Sequence, residues 1–266
     1  MYETPKWLER TELLITNSHL EKLQNTNVLL VGLGGVGSFA GEFLARAGVG
    51  KMTIVDGDVV DTTNINRQLP ALSSTVGKPK AELMKQRILD INPAIELTTV
   101  QQFLNPDETT ALVNSQDYHY VLDCIDSITP KLYLMKAALA KNCKIISSMG
   151  AGGKTNSMLL QYADISKTHM CPFAYYLRKR LRKEGIHSGI MTVFSEEPPN
   201  RESIKMTDGS NFKTSFYGTI SYIPALFGLH MASWVVQDAI GIFTPTPLCY
   251  PKGVKVPKSL TKKGTS

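Results

Sequence analysis

The segment NVLLVGLGGVGSFAGEFLARAGVGKMTIVD (residues 27–56) decides the fold class of this chain of 266 residues. Its first six residues form a continuous apolar run, which is typical of a buried parallel strand. Apolar residues then recur at helical spacing over residues 36–47, and Gly48 ends that helix. Residues 52–55 predict a second strand, which stops at Asp56. The segment therefore predicts a βαβ unit.

Strands and helices continue to alternate along the rest of the chain. Further strands are predicted over residues 95–100, 120–123, 144–148, 158–162 and 191–194. Further helices are predicted over residues 80–91, 131–141, 172–183 and 224–240. Repeated βα units require a mainly parallel sheet that is covered by helices. The sequence thus predicts an α/β fold with a Rossmann-like, doubly wound, mainly parallel sheet, helices on both faces, and a smaller second half.

Three glycines of the first loop, Gly32, Gly34 and Gly37, fit the pattern G-x-G-x-x-G between a strand and a helix. The first permits a tight turn, the second lets the backbone approach a phosphate, and the third packs the helix against the strand. The following helix offers unpaired N–H groups to an anion. Asp56 ends the next strand, where a carboxylate accepts hydrogen bonds from ribose hydroxyls. The motif predicts a nucleotide site and leaves open whether the nucleotide is NAD or ATP.

A second glycine-rich segment, SMGAGGKT (residues 148–155), also follows a predicted strand. It nearly matches a P-loop, but Ser148 stands in place of the first glycine. Because a second phosphate cradle in one small domain is improbable, we expect no Walker-type site here.

Polar groups follow several strands in a pattern that a dehydrogenase does not need. They occur in NINRQ (residues 64–68), GKPK (77–80) and DCIDS (123–127). In a doubly wound sheet the carboxyl ends of the strands meet at one crevice. We expect Arg67 and Lys80 in these segments to face a triphosphate, and Asp126 in the last to hold a magnesium ion or the nucleotide. These segments favour ATP over NAD.

A resemblance to a known superfamily is carried by the glycine loop, the three polar segments and the Asp-x-Asp at residues 56–58. In these motifs the chain resembles the superfamily of ThiF, MoeB and HesA, bacterial relatives of the ubiquitin-activating enzymes. Within it the chain looks most like the tRNA threonylcarbamoyladenosine dehydratases. The segments that carry this closer resemblance are residues 150–154, 163–168 and 193–195. The resemblance covers about residues 8–245, with a nucleotide-binding half over 8–155 and a substrate half over 156–245. A basic tail follows over residues 246–266.

The resemblance implies a role for each matched residue. Gly35 and the neighbouring amides would contact the ATP phosphates, and Asp56 the ribose. Arg10 matches an arginine that the family sends across a dimer interface to the triphosphate. The implied catalytic set is Arg10, Arg67, Lys80 and Asp126, with Asp126 also at the metal. The implied nucleotide-binding set is Gly32, Gly34, Gly35, Gly37, Asp56, Asp58, Asn64, Arg67, Gln68, Lys80, Asp126 and Ser127.

The implied reaction is the ATP-dependent cyclisation of threonylcarbamoyladenosine in tRNA through adenylation of its threonyl carboxylate, with ATP and Mg²⁺ as cofactors. The resemblance also implies a homodimer, and a sulfur-relay protein partner stays open. A second hypothesis is adenylation of the C-terminal carboxylate of a ubiquitin-like sulfur carrier, as ThiF and MoeB perform. Those relatives generally carry two CxxC pairs for zinc, and this chain has none. An NAD-linked oxidoreductase is a third hypothesis, and a non-catalytic RNA-binding module is a fourth.

The four cysteines are isolated, which is typical of reduced thiols that pack as small apolar side chains. They are Cys124, Cys143, Cys171 and Cys249. Some relatives form a thioester with a catalytic cysteine. Only Cys171 is a plausible thiol for that role here, and we expect it to be dispensable.

The net charge of +6 is unevenly distributed. Residues 251–266 hold five lysines and no acid, and a second basic cluster lies at residues 178–183. Two basic features suggest a polyanionic partner such as RNA, although solvated charges on a helix surface would produce the same pattern. No apolar run approaches the ~20 residues that span a bilayer, and the N-terminus shows no signal pattern. We therefore expect a cytoplasmic enzyme that does not bind membranes.

Overall fold

The computed structural model describes residues 3–206 and 215–244. The predicted basic tail, residues 246–266, lies outside the described residues, as does Cys249. The strands are β1 (Asn27–Val31), β2 (Lys51–Val55), β3 (Glu96–Val100), β4 (Tyr120–Asp123), β5 (Lys144–Ser148), β6 (Leu160–Asp164), β7 (Met191–Ser195), β8 (Ile204–Met206) and β9 (Ser215–Tyr217). The helices are α1 (Glu9–Ile15), α2 (Asn17–Gln24), α3 (Gly37–Arg46), α4 (Lys80–Ile91), α5 (Pro106–Asn114), α6 (Ile128–Ala140), α7 (Pro172–Lys183) and α8 (Tyr222–Ile240).

One seven-stranded sheet organises the molecule, with strand order β3-β2-β1-β4-β5-β7-β6. The first six strands of this order pair in parallel, and β6 alone is antiparallel to its neighbour. The order reverses direction between β1 and β4, so their carboxyl ends border the crevice in which doubly wound sheets bind ligands. The predicted α/β fold with a mainly parallel sheet is confirmed.

Two hydrophobic cores lie on the two faces of the sheet. Leu30 of β1 belongs to the core that also contains apolar residues of α3, α4 and α8. Its neighbours Leu29 and Val31 belong to the core on the opposite face, together with apolar residues of α5, α6 and α7. Because successive side chains of a strand point to opposite faces, a continuous apolar strand supplies both cores.

Two prolines lie in the first turns of helices that the sequence predicted to begin later. The helix predicted from residue 131 begins at Ile128, ahead of Pro130. The helix predicted from Pro224 begins at Tyr222. Proline is tolerated in a first turn because the N–H groups there have no partner within the helix. No helix within residues 3–206 and 215–244 is both long and apolar enough to span a bilayer.

Candidate nucleotide-binding site

The glycine loop after β1 folds back tightly on itself. Gly32 adopts a positive φ of 92°, and a Cβ placed on Gly37 would lie 1.7 Å from the Gly32 carbonyl oxygen. Any side chain at position 37 would therefore push the start of α3 away from the strand end. Within the described ranges, the N–H groups of Gly34, Gly35 and Val36 donate no hydrogen bond. The loop thus presents three backbone donors at a helix N-terminus, which is an arrangement that binds anions.

Asp56 ties the glycine loop to the end of β2. Its Oδ2 accepts a hydrogen bond from the Leu33 N–H at 2.6 Å, and its Oδ1 accepts one from the Asp58 N–H at 2.8 Å. Burial raises the pKa of the Asp56 carboxyl, and the positive charge of Lys80 opposes that rise. Each carboxylate oxygen keeps a lone pair for a further donor, such as a ribose hydroxyl.

Lys80 is a buried cation at the first position of α4, where it is 4% exposed. Its Nζ lies 3.0 Å from Oδ2 of Asp58, and its backbone N–H donates to the Asp58 carbonyl oxygen. The pair fixes the segment that follows Asp56 against the start of α4. Lys80 therefore brings a positive charge to the strand-end side of the sheet, with Asp58 as its partner.

Arg67 borders the glycine loop and lies within electrostatic range of Asp126, a residue that is distant from it in the sequence. The Arg67 guanidinium donates to the Thr63 carbonyl oxygen at 3.0 Å and to Oδ1 of Asn66 at 2.8 Å. Burial lowers the pKa of Arg67, and the negative charge of Asp126 opposes that change. A Cβ placed on Gly35 would lie 3.4 Å from Cγ of Arg67, so this arginine also borders the glycine loop.

Asn64 and Gln68 hold the Arg67 segment in place. Asn64 is buried, and its Oδ1 accepts a hydrogen bond from the Asp61 N–H at 3.2 Å. Gln68 is buried against Gly34, at whose position a Cβ would lie 3.6 Å from the Gln68 Nε2. The Gln68 Oε1 has no hydrogen-bond partner within the described ranges. A buried acceptor without a partner beside the glycine loop is suited to a ligand donor.

Asp126 and Ser127 lie between β4 and α6. Asp126 is exposed, Ser127 is buried, and the Ser127 Oγ lies 3.5 Å from the Asp126 Oδ1. No cluster of three His, Cys, Asp or Glu side chains that could hold a metal ion occurs in residues 3–206 and 215–244. Magnesium commonly binds one or two carboxylates together with substrate phosphates. The exposed carboxylate of Asp126 fits that mode of binding.

The sequence profile of the ThiF family matches residues 8–256 of this chain. The chain belongs to the ThiF family. Over 238 residues it is 44% identical to the tRNA threonylcarbamoyladenosine dehydratase of Bacillus subtilis. That alignment covers 87% of this chain and 93% of the Bacillus protein. Over 239 residues it is 35% identical to the enzyme of the same name from Haemophilus influenzae, covering 85% of this chain and 90% of that protein.

A solved structure of the Escherichia coli tRNA N6-threonylcarbamoyladenosine dehydratase, TcdA, in complex with ATP has the same fold. It superposes with a TM-score of 0.80 at 33% identity, and the match covers 91% of this chain and 98% of that one. The resemblance of the sequence to the ThiF superfamily, and within it to this subgroup, is therefore confirmed.

One predicted site residue of this ThiF chain is not brought to the crevice. Arg10 is exposed on α1, a helix that packs against α2. Among the described residues it forms no ion pair or hydrogen bond with the glycine loop, Arg67, Lys80 or Asp126. Its predicted action across a dimer interface stays a prediction.

An ion pair that the sequence did not predict joins the two elements that flank Asp126, strand β4 and helix α6. Lys131 and Asp123 are both 0% exposed, and the Lys131 Nζ lies 2.8 Å from the Asp123 Oδ2. Lys131 also donates to the Ile125 carbonyl oxygen at 2.9 Å, and Ser147 donates to Asp123 at 2.7 Å. Burial raises the pKa of the Asp123 carboxyl. An aspartate that ends an apolar strand was the sequence signal for a buried cationic partner.

The second glycine-rich segment of this ThiF chain does not form a phosphate loop. Lys154 is 3% exposed, and its Nζ donates to the Glu197 carbonyl oxygen. The backbone N–H groups of Thr155 and Asn156 donate to the Glu197 carboxylate. The segment continues into strand β6 rather than into a long helix.

A cavity of about 620 Å³ lies beside this segment. Asn66, the neighbour of Arg67, lines it together with residues that come mainly from three loops. These further lining residues are Gly153, Lys154, Thr155, Glu197, Pro198, Asn200, Ser203, Gly218, Thr219, Ile220 and Ser221. The cavity therefore adjoins the Arg67 side of the crevice and is large enough for a small polar substrate group.

Proposed function

We propose that this chain is an ATP-dependent tRNA threonylcarbamoyladenosine dehydratase. The observation that carries the proposal is that Arg67 borders the glycine loop within electrostatic range of Asp126, in a chain that aligns over most of its length with enzymes of that name. The substrate is a tRNA whose modified adenosine bears an open-chain threonylcarbamoyl group. The product is the cyclic form of that group.

The first step forms an acyl-adenylate. A carboxylate oxygen of the substrate attacks the α-phosphorus of ATP, the bond to the bridging oxygen breaks, and pyrophosphate leaves. The three N–H donors of Gly34, Gly35 and Val36 and the half-buried Arg67 guanidinium lie where they would stabilise negative charge on the phosphates. Lys80, which pairs with Asp58 and lies within electrostatic range of Asp56, adds a second cation. When bound at Asp126, Mg²⁺ would supply further stabilisation of phosphate charge.

The second step closes the ring. An atom of the ureido linkage attacks the activated carbonyl, AMP departs, and a proton is released, so the substrate loses one water overall. Because both reacting groups belong to one nucleoside, the enzyme mainly has to hold them in a reactive geometry. We assign that task to the cavity beside Asn66, which is lined mainly by residues 197–203 and 218–221 of the half that we propose binds substrate.

The proposal extends to the assembly and its surroundings. We propose a homodimer in which Arg10 of one protomer reaches the triphosphate of its partner, and a cytoplasmic location, where tRNA and ATP are both present. A sulfur-relay protein is not required by the chemistry. A ubiquitin-like sulfur carrier is not favoured as the substrate, because four relatives that each match more than four fifths of the chain are named tRNA threonylcarbamoyladenosine dehydratases.

The proposed function is tested by incubating the protein with ATP, Mg²⁺ and tRNA that carries the open-chain modification. Mass spectrometry of the digested nucleosides should show the loss of one water from the modified adenosine and no change without ATP. An unchanged nucleoside mass with folded, ATP-binding protein would refute the proposal. ATP–pyrophosphate exchange that requires a purified sulfur carrier and ignores the tRNA would identify the carrier as the substrate instead.

A further inference from the structure

Helix α7 presents one exposed face on which two aromatic rings precede several cations. Tyr175 and Tyr176 are each 54% exposed, and their ring centroids lie 5.5 Å apart. Lys179, Arg182 and Lys183 are also exposed. Residues three and four apart in a helix are neighbours, so Lys179 lies next to both tyrosines and to the two later cations. The five side chains form one continuous surface, which we call the α7 face.

The opposite side of α7 packs against the hydrophobic core. Ala174, Leu177 and Leu181 are buried in the hydrophobic core on the opposite side of α7. Arg178 does not belong to the α7 face, because its guanidinium donates to the Thr168 hydroxyl and is half-buried. Within residues 3–206 and 215–244, none of the three cations of the α7 face forms an ion pair. Their charge is therefore available to a partner.

The α7 face begins next to the crevice. A Cβ placed on Gly150, which follows β5, would lie 3.5 Å from the Phe173 Cβ and 3.6 Å from the Cys171 Sγ. The first turn of α7 is therefore in contact with the carboxyl end of β5, on the same edge of the sheet as the glycine loop. From Tyr175 to Lys183 the helix advances about 12 Å. The tyrosines lie at the end of the helix near the crevice, and the cations extend away from it.

This order of groups fits single-stranded nucleic acid. Exposed aromatic rings stack on unpaired bases, and cations alongside bind the phosphates. A membrane-surface helix would need a broad apolar face, and α7 exposes only two amphipathic tyrosines. We propose that the α7 face binds the unpaired bases and phosphates next to the modified adenosine of the tRNA, an inference that rests on the proposed function.

The test compares three double variants with a matched control. The variants are Tyr175→Ala/Tyr176→Ala, Tyr175→Phe/Tyr176→Phe and Lys179→Ala/Lys183→Ala. The control, Lys22→Ala/Lys85→Ala, removes one lysine from α2, which packs against α8, and one from α4, which packs on the other face of the sheet. The affinity for modified tRNA is measured by fluorescence anisotropy over a range of salt concentrations, and kcat is measured at saturating tRNA and ATP.

We expect the tyrosine-to-alanine variant to bind tRNA about 10- to 100-fold more weakly, because stacking on each ring is lost. The phenylalanine variant should bind like the wild type, since its rings still stack. The lysine variant should bind about 10-fold more weakly and lower the slope of log affinity against log salt by roughly 1.4 to 1.8. The control should match the wild type, and kcat should stay within about twofold in every protein.

Unchanged tRNA affinity in both alanine variants, with a wild type that cyclises its substrate, would overturn the α7 inference and leave the proposed function standing. A wild type that fails to cyclise modified tRNA would overturn both. Loss of binding to phosphatidylserine vesicles, with unchanged tRNA affinity, would assign the α7 face to a membrane and also overturn the inference.

Discussion

In the proposed mechanism, Arg67 is the residue on which the chemistry depends most directly. Its backbone borders the glycine loop, its guanidinium interacts electrostatically with Asp126, and its immediate neighbour Asn66 lines the cavity. A guanidinium in this position can bind phosphate oxygens through two parallel hydrogen bonds.

We expect Arg67→Ala to lower kcat/KM by about 100- to 1,000-fold, which is the usual effect of removing one donor that stabilises transition-state charge. Arg67→Lys should lower kcat/KM by less than Arg67→Ala, because it keeps the positive charge. It should still be slower than the wild type, because lysine lacks the planar guanidinium that donates two parallel hydrogen bonds. Both are measured by nucleoside mass spectrometry, with the thermal midpoint as a check on folding. Full activity of Arg67→Ala would remove this residue from the mechanism.

The buried pair of Lys131 and Asp123 allows a separate prediction about stability. Lys131→Met leaves an aspartate without its cation, and we expect a loss of about 3–5 kcal/mol in the free energy of unfolding. Asp123→Asn/Lys131→Met should be about 1–3 kcal/mol more stable than the sum of the single effects, because no uncompensated charge remains. Urea unfolding of the three variants measures this coupling. Additive effects would show that the two charges do not depend on one another.

Cys171 allows a simple test of covalent catalysis. It is buried and directly precedes the first residue of α7. Serine keeps the size of the side chain and is favoured at helix N-termini, so the fold should tolerate it. We expect Cys171→Ser to keep most of the cyclisation activity, measured with saturating ATP and tRNA. Near-complete loss in a folded variant would indicate a thioester intermediate.

At the scale of elements, an ion cluster joins α3 to α4 on one face of the sheet. Glu42 of α3 accepts hydrogen bonds from Arg46, one turn along the same helix, at 2.8 Å and from Arg87 of α4. Burial works to raise the pKa of Glu42, but the two arginines outweigh it and leave the pKa below its usual value of 4.5. The cluster fixes the helix that carries the glycine loop against the helix that begins at Lys80.

The lowered pKa of Glu42 gives stability a defined dependence on pH. The unfolded chain protonates Glu42 at a higher pH than the folded chain, so the stabilisation is present above the usual pKa of 4.5 and is lost as pH falls through the lower folded pKa. Glu42→Gln should therefore cost about 1–2 kcal/mol at about pH 7, and the difference from the wild type should shrink at lower pH.

Urea unfolding at several pH values measures the effect of Glu42→Gln. Glu82→Gln is the matched control, because Glu82 is half-exposed and its partner Lys85 lies 3.6 Å away. That control should differ little from the wild type, as surface ion pairs contribute little. A cost of Glu42→Gln that does not change with pH would show that the cluster acts through packing and not through charge.

At the scale of the whole molecule, α1 exposes more than Arg10. Leu13 and Leu14 on the same helix are each 83% exposed. Adjacent apolar side chains at this exposure are suited to an interface between protomers. The proposed homodimer would cover them and carry Arg10 towards the crevice of the partner.

Mixed dimers test whether Arg10 acts across that interface. Arg10→Ala and Arg67→Ala should each be inactive alone. If Arg10 serves the partner's site, each mixed dimer has one complete site, so random mixing restores about a quarter of wild-type activity. Light scattering confirms the dimers. An absence of recovery in proven mixed dimers would place the action of Arg10 within its own chain or outside the reaction.

The sequence by itself determined the fold class and most of the strand-end residues. A parallel strand buried on both faces must be continuously apolar, and a loop as tight as that at Gly32–Gly37 requires glycine, so both leave a local pattern. The positions of Asp56, Lys80 and Asp126 followed from a general rule, because parallel strands all end at the same edge of the sheet. Local sequence patterns and this rule were therefore sufficient to predict the fold class and most of the strand-end residues.

The tertiary structure alone decided which distant groups meet. The electrostatic interaction of Arg67 with Asp126, the burial of Lys131 against Asp123, and the hydrogen bond from Lys154 to Glu197 all join segments whose spacing carries no periodic signal. It also separated Arg178, which is half-buried, from the exposed cations of the α7 face. Pairing between charges depends on their distance and burial in three dimensions, and the order of residues along the chain does not by itself specify either quantity.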